Sequence, residues 1–184
     1  MNKATWITIA RLPLTVAAIM ALASRWDGRW LTAAICVDLV GNTDYLDGWL
    51  ARRRGEVTAL GTNLDFALDK VCVAALLFTL AWLRLVSVWV PLLVLAREVV
   101  VTSARIVRFG AHPPPSDIWG KAKTGLTLTA IAVILLRQAL PGGGGAIGWL
   151  LDLGPSLMLA AVALTLLSGL NYMVRYTRHP EEID

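Results

Sequence analysis

Residues 44–69 read DYLDGWLARRRGEVTALGTNLDFALD. Four aspartates and an arginine triplet fall in this stretch, within a chain of 184 residues that is 57% hydrophobic and only 16% charged. Asp44 and Asp47 are three residues apart, and Asp65 and Asp69 are four apart. On helices, each pair shares one face. The first pair closes one apolar run and the second opens the next, so an antiparallel helix pair brings all four carboxylates to one depth. Four unneutralised carboxylates in apolar surroundings are very costly. Divalent cations relieve that cost, and oxygen donors without histidine or cysteine favour Mg²⁺, Mn²⁺ or Ca²⁺ over Zn²⁺. Two such ions about 4 Å apart form a clamp suited to phosphoryl transfer. A plainer alternative pairs the aspartates with Arg52, Arg53 and Arg54 in structural salt bridges. One aspartate pair alone would favour that alternative; two pairs at regular spacing, with small residues between them, favour metal.

The rest of the stretch suits a phosphate-bearing substrate. Gly48 and Ala51 keep the helix surface small beside the carboxylates, so a ligand can come close to the backbone. Arg52 is suited to bidentate pairing with a phosphate. Gly61 permits close packing at the entry to the following helix.

Outward from this stretch the chain is apolar, with a mean hydropathy of +0.63. Its length allows one domain, residues 1–184. Several runs are wide enough to cross a bilayer, which takes about 20 residues. The composition predicts an all-α, polytopic membrane protein with six transmembrane helices, at about Ala4–Ser24, Trp30–Ala51, Gly61–Leu83, Val86–Phe109, Trp119–Leu140 and Trp149–Tyr176. A soluble bundle this short would struggle to bury so many runs. Arg11 and Pro13 in the first run, with no clean cleavage site after it, argue against a removed signal peptide. "FGAHPPPSD" and "LPGGGGAIG" read as breaks, because consecutive prolines cannot continue a helix and glycines flex.

Six spans put both termini on one side. That side receives Lys3, Arg52 to Arg54, Arg105, Arg108, Lys121, Lys123, Arg175 and Arg178; the other receives Arg25, Arg29, Arg84 and Arg137. The bias predicts cytoplasmic termini. Topogenic and lipid-facing roles account for most of the basic residues behind the net charge of +4, so no nucleic-acid partner is expected. Tryptophans cluster near span ends, where interface anchoring explains them. Cys36 and Cys72 lack metal-ligand spacing and read as buried small hydrophobes. His112 and His179 sit in a proline-rich loop and in the tail, and no function is assigned to them.

The stretch resembles, at every fixed position, the signature D-x2-D-G-x2-A-R-x8-G-x3-D-x3-D of the CDP-alcohol phosphotransferase family, through Asp44, Asp47, Gly48, Ala51, Arg52, Gly61, Asp65 and Asp69. That family's six-span architecture covers most of the chain. The resemblance implies transfer from a CDP-linked lipid to an acceptor hydroxyl with release of CMP. It implies that Asp44, Asp47, Asp65 and Asp69 hold two Mg²⁺ or Mn²⁺ ions, with Asp69 also the general base. It implies that Asp47, Gly48, Ala51, Arg52 and Gly61 bind the CDP portion, and that the protein is a homodimer.

The acceptor is read from "LAREVVVTSARIVRFG" and "DIWGKAKTG". Arg97, Glu98 and Arg105 on the fourth span, and Lys121 and Lys123 opening the fifth, are similar to bacterial phosphatidylglycerolphosphate synthases within the family. In that group CDP-diacylglycerol donates to glycerol 3-phosphate. Arg105, Lys121 and Lys123 are then candidate ligands for the acceptor phosphate, set against positive-inside topology and a purely structural Arg97–Glu98 pair. Thr8 and Arg11 fit the Thr-x-x-Arg opening of the group, whereas Thr5 stands where its asparagine is usual. Asp38 is a further carboxylate without an assigned role. Other acceptors fit the same chemistry: phosphatidylglycerol, giving cardiolipin, or inositol phosphate. A cation transporter lined by the same aspartates is the non-enzymatic alternative, and the outer halves of the spans are too apolar for it.

Overall fold

The computed structural model describes residues 3–54, 59–109, 118–142 and 145–178, with side chains described from 11 to 41, at 68, and for most residues between 70 and 174 outside 105–121 and 143–144. Among the described residues the chain is all helical: α1 (Lys3–Ala23), α2 (Arg29–Arg54), α3 (Ala59–Trp82), α4 (Trp89–Phe109), α5 (Ile118–Ala139), α6 (Gly145–Asp152) and α7 (Gly154–Arg178). Each of the first five expected spans coincides with one helix to within about three residues. The sixth is divided, with Leu153 between α6 and α7.

The division has a local cause. Pro155 has no N–H, so the ladder from α6 cannot run through it, and it sits instead in the first turn of α7, where that loss is harmless. The Leu153 amide closes a tight turn to the Leu150 carbonyl, and α7 begins with Leu157 bonding back to Leu153. Gly154 allows close approach at this joint. A Cβ there would lie 2.9 Å from Ile134 Cγ1 and 3.3 Å from the Ile134 amide nitrogen.

Short connections make successive helices alternate in direction. α1 packs on α2, α2 on α5, α5 on α7, α7 on α4, α4 on α3, and α3 returns to α1. The six long helices therefore close a ring in the order α1, α2, α5, α7, α4, α3. Buried alanines at 18, 21, 33, 34 and 130 let the helices approach closely, and Leu22, Val37, Leu76, Leu77, Leu80, Ile131 and Leu135 fill the core. Outside this core the polarity is inverted relative to a water-soluble bundle. Met20, Ile35, Leu39, Val71, Phe78, Val99, Val100, Leu159, Leu167 and Leu170 all point outward and exposed. The segment Gly145–Val174 is long and apolar enough to cross a membrane.

The α1–α2, α3–α4 and α5–α7 connections share one end of the ring, which we name the turn end. The residues of the aspartate signature, on the C-terminal half of α2 and the N-terminal half of α3, lie toward the other end.

Candidate functional site

A carboxylate on α4 gathers cations from three helices. Glu98 Oε1 accepts from Arg97 Nη1 at 2.8 Å and from Lys123 Nζ, while Glu98 Oε2 pairs with Lys70 Nζ at 2.9 Å. Lys70 also donates to Thr102 Oγ1. Arg97 donates from Nη2 to Ser168 Oγ on α7 at 2.9 Å, and the Ser168 hydroxyl donates in turn to the Thr165 carbonyl at 3.0 Å. Side-chain exposure is 12% for Arg97, 13% for Glu98 and 10% for Lys123, so these charges are mostly withdrawn from solvent. Unpaired, each would be strongly unfavourable there; sharing one carboxylate makes their burial tolerable.

Local sequence explains why the groups converge. Arg97 and Glu98 are neighbours near the middle of α4, so their side chains leave the helix about 100° apart, one toward α7 and the other toward α3 and α5. Lys123 lies in the second turn of α5, where Thr127 bonds back to its carbonyl. α4 and α5 are not adjacent members of the ring, because α7 stands between them. The Glu98–Lys123 pair therefore spans the ring's inner side.

Placement along the helices is as follows. Asp44, Asp47, Gly48, Ala51 and Arg52 fall in the C-terminal half of α2; Gly61, Asp65 and Asp69 fall in the N-terminal half of α3. Both helices pack on α1. The side chains of these eight residues, and those of Thr8, Arg105 and Lys121, lie outside the described residues, as do His112 and His179 entirely. Backbone register still fixes the depth of the aspartates at the inner ends of the signature, Asp44 and Asp69. Asp69 immediately precedes Lys70, which joins the Glu98 cluster. Gly41 faces Leu128 of α5, where a Cβ would meet Leu128 Cδ1 at 3.5 Å. At about 1.5 Å per residue, Asp44 on antiparallel α2 then lies within roughly one turn of the level of Lys123. Both aspartate-bearing segments thus begin at the depth of the cation cluster. Among the described residues, no group of three or more His, Cys, Asp or Glu side chains is arranged to hold a metal.

Arg11 is 1% exposed on α1, with Thr15 also buried one turn on. Asp38 is exposed on α2. Cys36 and Cys72 are free and buried in the core, as small hydrophobes should be. Lys70 and Ser168 had gone unnoticed in the sequence. A lysine opening the apolar run Lys70–Trp82 is itself a signal, since a charge in such a segment requires a partner.

The family model of the CDP-alcohol phosphatidyltransferases matches residues 1–167, and the chain belongs to that family. It is an enzyme of the phosphatidyltransferase class. The chain is 36% identical over 108 residues to the cardiolipin synthase (CMP-forming) of Streptomyces coelicolor; the match takes in 58% of this chain and spans half of that relative's length. It is 32% identical over 149 residues to the CDP-diacylglycerol–glycerol-3-phosphate 3-phosphatidyltransferase of Bacillus subtilis, covering 74% of this chain and 76% of the relative. It is 31% identical over 180 residues to the enzyme of the same name from Shigella flexneri, covering 94% and 93%.

Proposed function

We propose that the protein transfers a phosphatidyl group from CDP-diacylglycerol to glycerol 3-phosphate, releasing CMP and forming phosphatidylglycerol phosphate. The observation that carries this reading is the buried cluster of Lys70, Arg97 and Lys123 around one carboxylate, at the depth where Asp44 and Asp69 lie. Buried ammonium and guanidinium groups at that depth suit a phosphate monoester, which carries close to two negative charges. The likeness to two glycerol-3-phosphate phosphatidyltransferases, over 74% and 94% of this chain, supports the same acceptor. A cation path would avoid such a cluster, which weighs against a transporter.

The signature residues fit a hard divalent cation by the chemistry of the donor set. Asp44, Asp47, Asp65 and Asp69 offer only carboxylate oxygens, from two helices that flank α1. These residues would hold Mg²⁺ or Mn²⁺, two ions in our reading, and the bound metal would supply charge stabilisation at the donor's pyrophosphate. Asp47, Gly48, Ala51, Arg52 and Gly61 receive the cytidine diphosphate portion, with the Arg52 guanidinium countering phosphate charge. Lys123, together with Arg105 and Lys121, holds the acceptor phosphate, and Thr8 and Arg11 line the entry from α1. The acceptor hydroxyl attacks the phosphorus that bears the diacylglycerol, its proton passes to the Asp69 carboxylate, and the bond to CMP breaks.

The ring is read as a six-span bundle in a bacterial inner membrane, with cytoplasmic termini and a cavity that opens toward the inner leaflet so that the donor's acyl chains stay in lipid. Exposed apolar side chains on the long helices support this. So do Trp26, Trp82, Trp89 and Trp149, all at the turn end and all at least half exposed, as an interfacial belt requires. The enzyme acts as a homodimer in this reading.

The test is purified protein in lipid nanodiscs with CDP-diacylglycerol, Mg²⁺ or Mn²⁺, and a panel of acceptors: glycerol 3-phosphate, phosphatidylglycerol, inositol phosphate. CMP release with glycerol 3-phosphate is the expected result. CMP release only with phosphatidylglycerol would replace this reading with cardiolipin synthesis, and no CMP with any acceptor would end it.

A further inference from the structure

We infer that Glu98 is a positioning residue for the acceptor, and that α7 sets its geometry through Arg97; the inference rests on the acceptor assignment above. Glu98 touches three cations from α3, α4 and α5, and it is the carboxylate that keeps the Lys123 ammonium on the inner side of the ring. Without it, Lys123 would face Arg97 and Lys70 as like charges and would turn away from them.

Arg97 fixes Glu98 in its turn. Its guanidinium is held at both ends, by Glu98 at 2.8 Å and by Ser168 at 2.9 Å. Ser168 is committed as donor to Thr165, so its oxygen faces Arg97 as an acceptor. Beneath the arginine lies Gly169, where an added Cβ would meet Arg97 Cγ at 2.9 Å and Nε at 3.1 Å. The missing methyl is what lets the arginine lie flat against α7. The family match ends at residue 167, one residue before this contact. A helix carrying none of the signature residues therefore orients a cation that the acceptor meets, through the relay Ser168–Arg97–Glu98–Lys123.

A positioning role and a purely structural one separate in steady-state kinetics with each substrate varied independently. For Glu98→Gln the KM for glycerol 3-phosphate should rise about tenfold or more, the scale of one lost charge-assisted hydrogen bond. The KM for CDP-diacylglycerol should stay within about twofold. Glu98→Asp should recover part of the loss. Ser168→Ala and Gly169→Ala, which leave every charge in place, should raise the same KM by a smaller factor, and they decide the matter if Glu98→Gln does not fold. An unchanged glycerol 3-phosphate KM, equal rises in both KM values, or a loss in kcat alone would each overturn the inference. A wild-type protein that releases no CMP with glycerol 3-phosphate overturns the acceptor assignment and this inference together; a competent wild type with insensitive variants overturns the inference alone.

Discussion

The two ends of the ring use basic residues in opposite ways. At the turn end Arg29 and Arg137 are consumed by the chain turns beside them. Arg29 donates to the Ser24 carbonyl five residues back at 2.9 Å, capping α1, and its guanidinium lies 4.4 Å from the Trp30 ring centre. Arg137 caps the end of α5 through the Leu140 and Pro141 carbonyls and pairs with Asp152 at 2.6 Å. Toward the other end the partners are distant in sequence: Lys123 is 25 residues from Glu98, and Arg97 is 71 from Ser168. The first kind of contact finishes a turn. The second kind exists only once α3, α4, α5 and α7 have assembled. Counting lysines and arginines treats the two ends as differing only in number, whereas the structure gives them different work.

That contrast can be broken by experiment, and the largest effects belong to the signature end. Asp69→Asn should lower CMP release by about 10² to 10⁴-fold, the usual yield of a positioned base. Chelation of divalent metal from the wild type should abolish turnover reversibly. Next comes Lys123→Met, which keeps the stem and removes the charge. It should raise the glycerol 3-phosphate KM by about tenfold to a hundredfold with little change in melting temperature, because Glu98 retains Lys70 and Arg97.

The turn end should answer in stability rather than chemistry. Gly154→Ala forces a Cβ against the Ile134 backbone and should destabilise the protein by about 1–3 kcal/mol, read as a fall in thermal midpoint in detergent, with both KM values kept. The smallest effect is expected at Arg84. Its φ of 58° places it as the left-handed cap of α3, with Leu85 bonding to the Leu80 carbonyl and Arg84 to that of Ala81. Glycine has no Cβ penalty there, so Arg84→Gly should stabilise by about 1 kcal/mol at unchanged activity. Loss of turnover from either turn-end change would mean that the two ends are coupled after all.

Much of the fold was legible because it rests on local rules. Apolar runs of bilayer length gave five helices nearly end to end, and Pro91 falls in the first turn of α4 as its chemistry requires. The divided sixth run was harder: Pro155 interrupts the ladder locally, but the close approach of Gly154 to Ile134 that seats the joint is a contact between distant segments. The signature's spacing was plain in the sequence, and so was the basic character of the α4 and α5 segments. The partners were not. Glu98 read as the mate of adjacent Arg97, yet it also takes Lys70 and Lys123, because periodicity places a residue on a face without saying which helix that face meets. The expected phosphate ligand Lys123 is held by that carboxylate, and Ser168 carries no sequence mark as a partner for Arg97.

α1 contributes none of the signature aspartates, yet it packs against both helices that carry them, and its Ala18 and Ala21 are buried in the core. Its girth is thus a gauge block between α2 and α3. On the metal reading proposed above, the gap between the aspartate-bearing helices is machined by the diameter of an alanine some turns away, and thickening that block would spread the jaws without touching one of the four carboxylates.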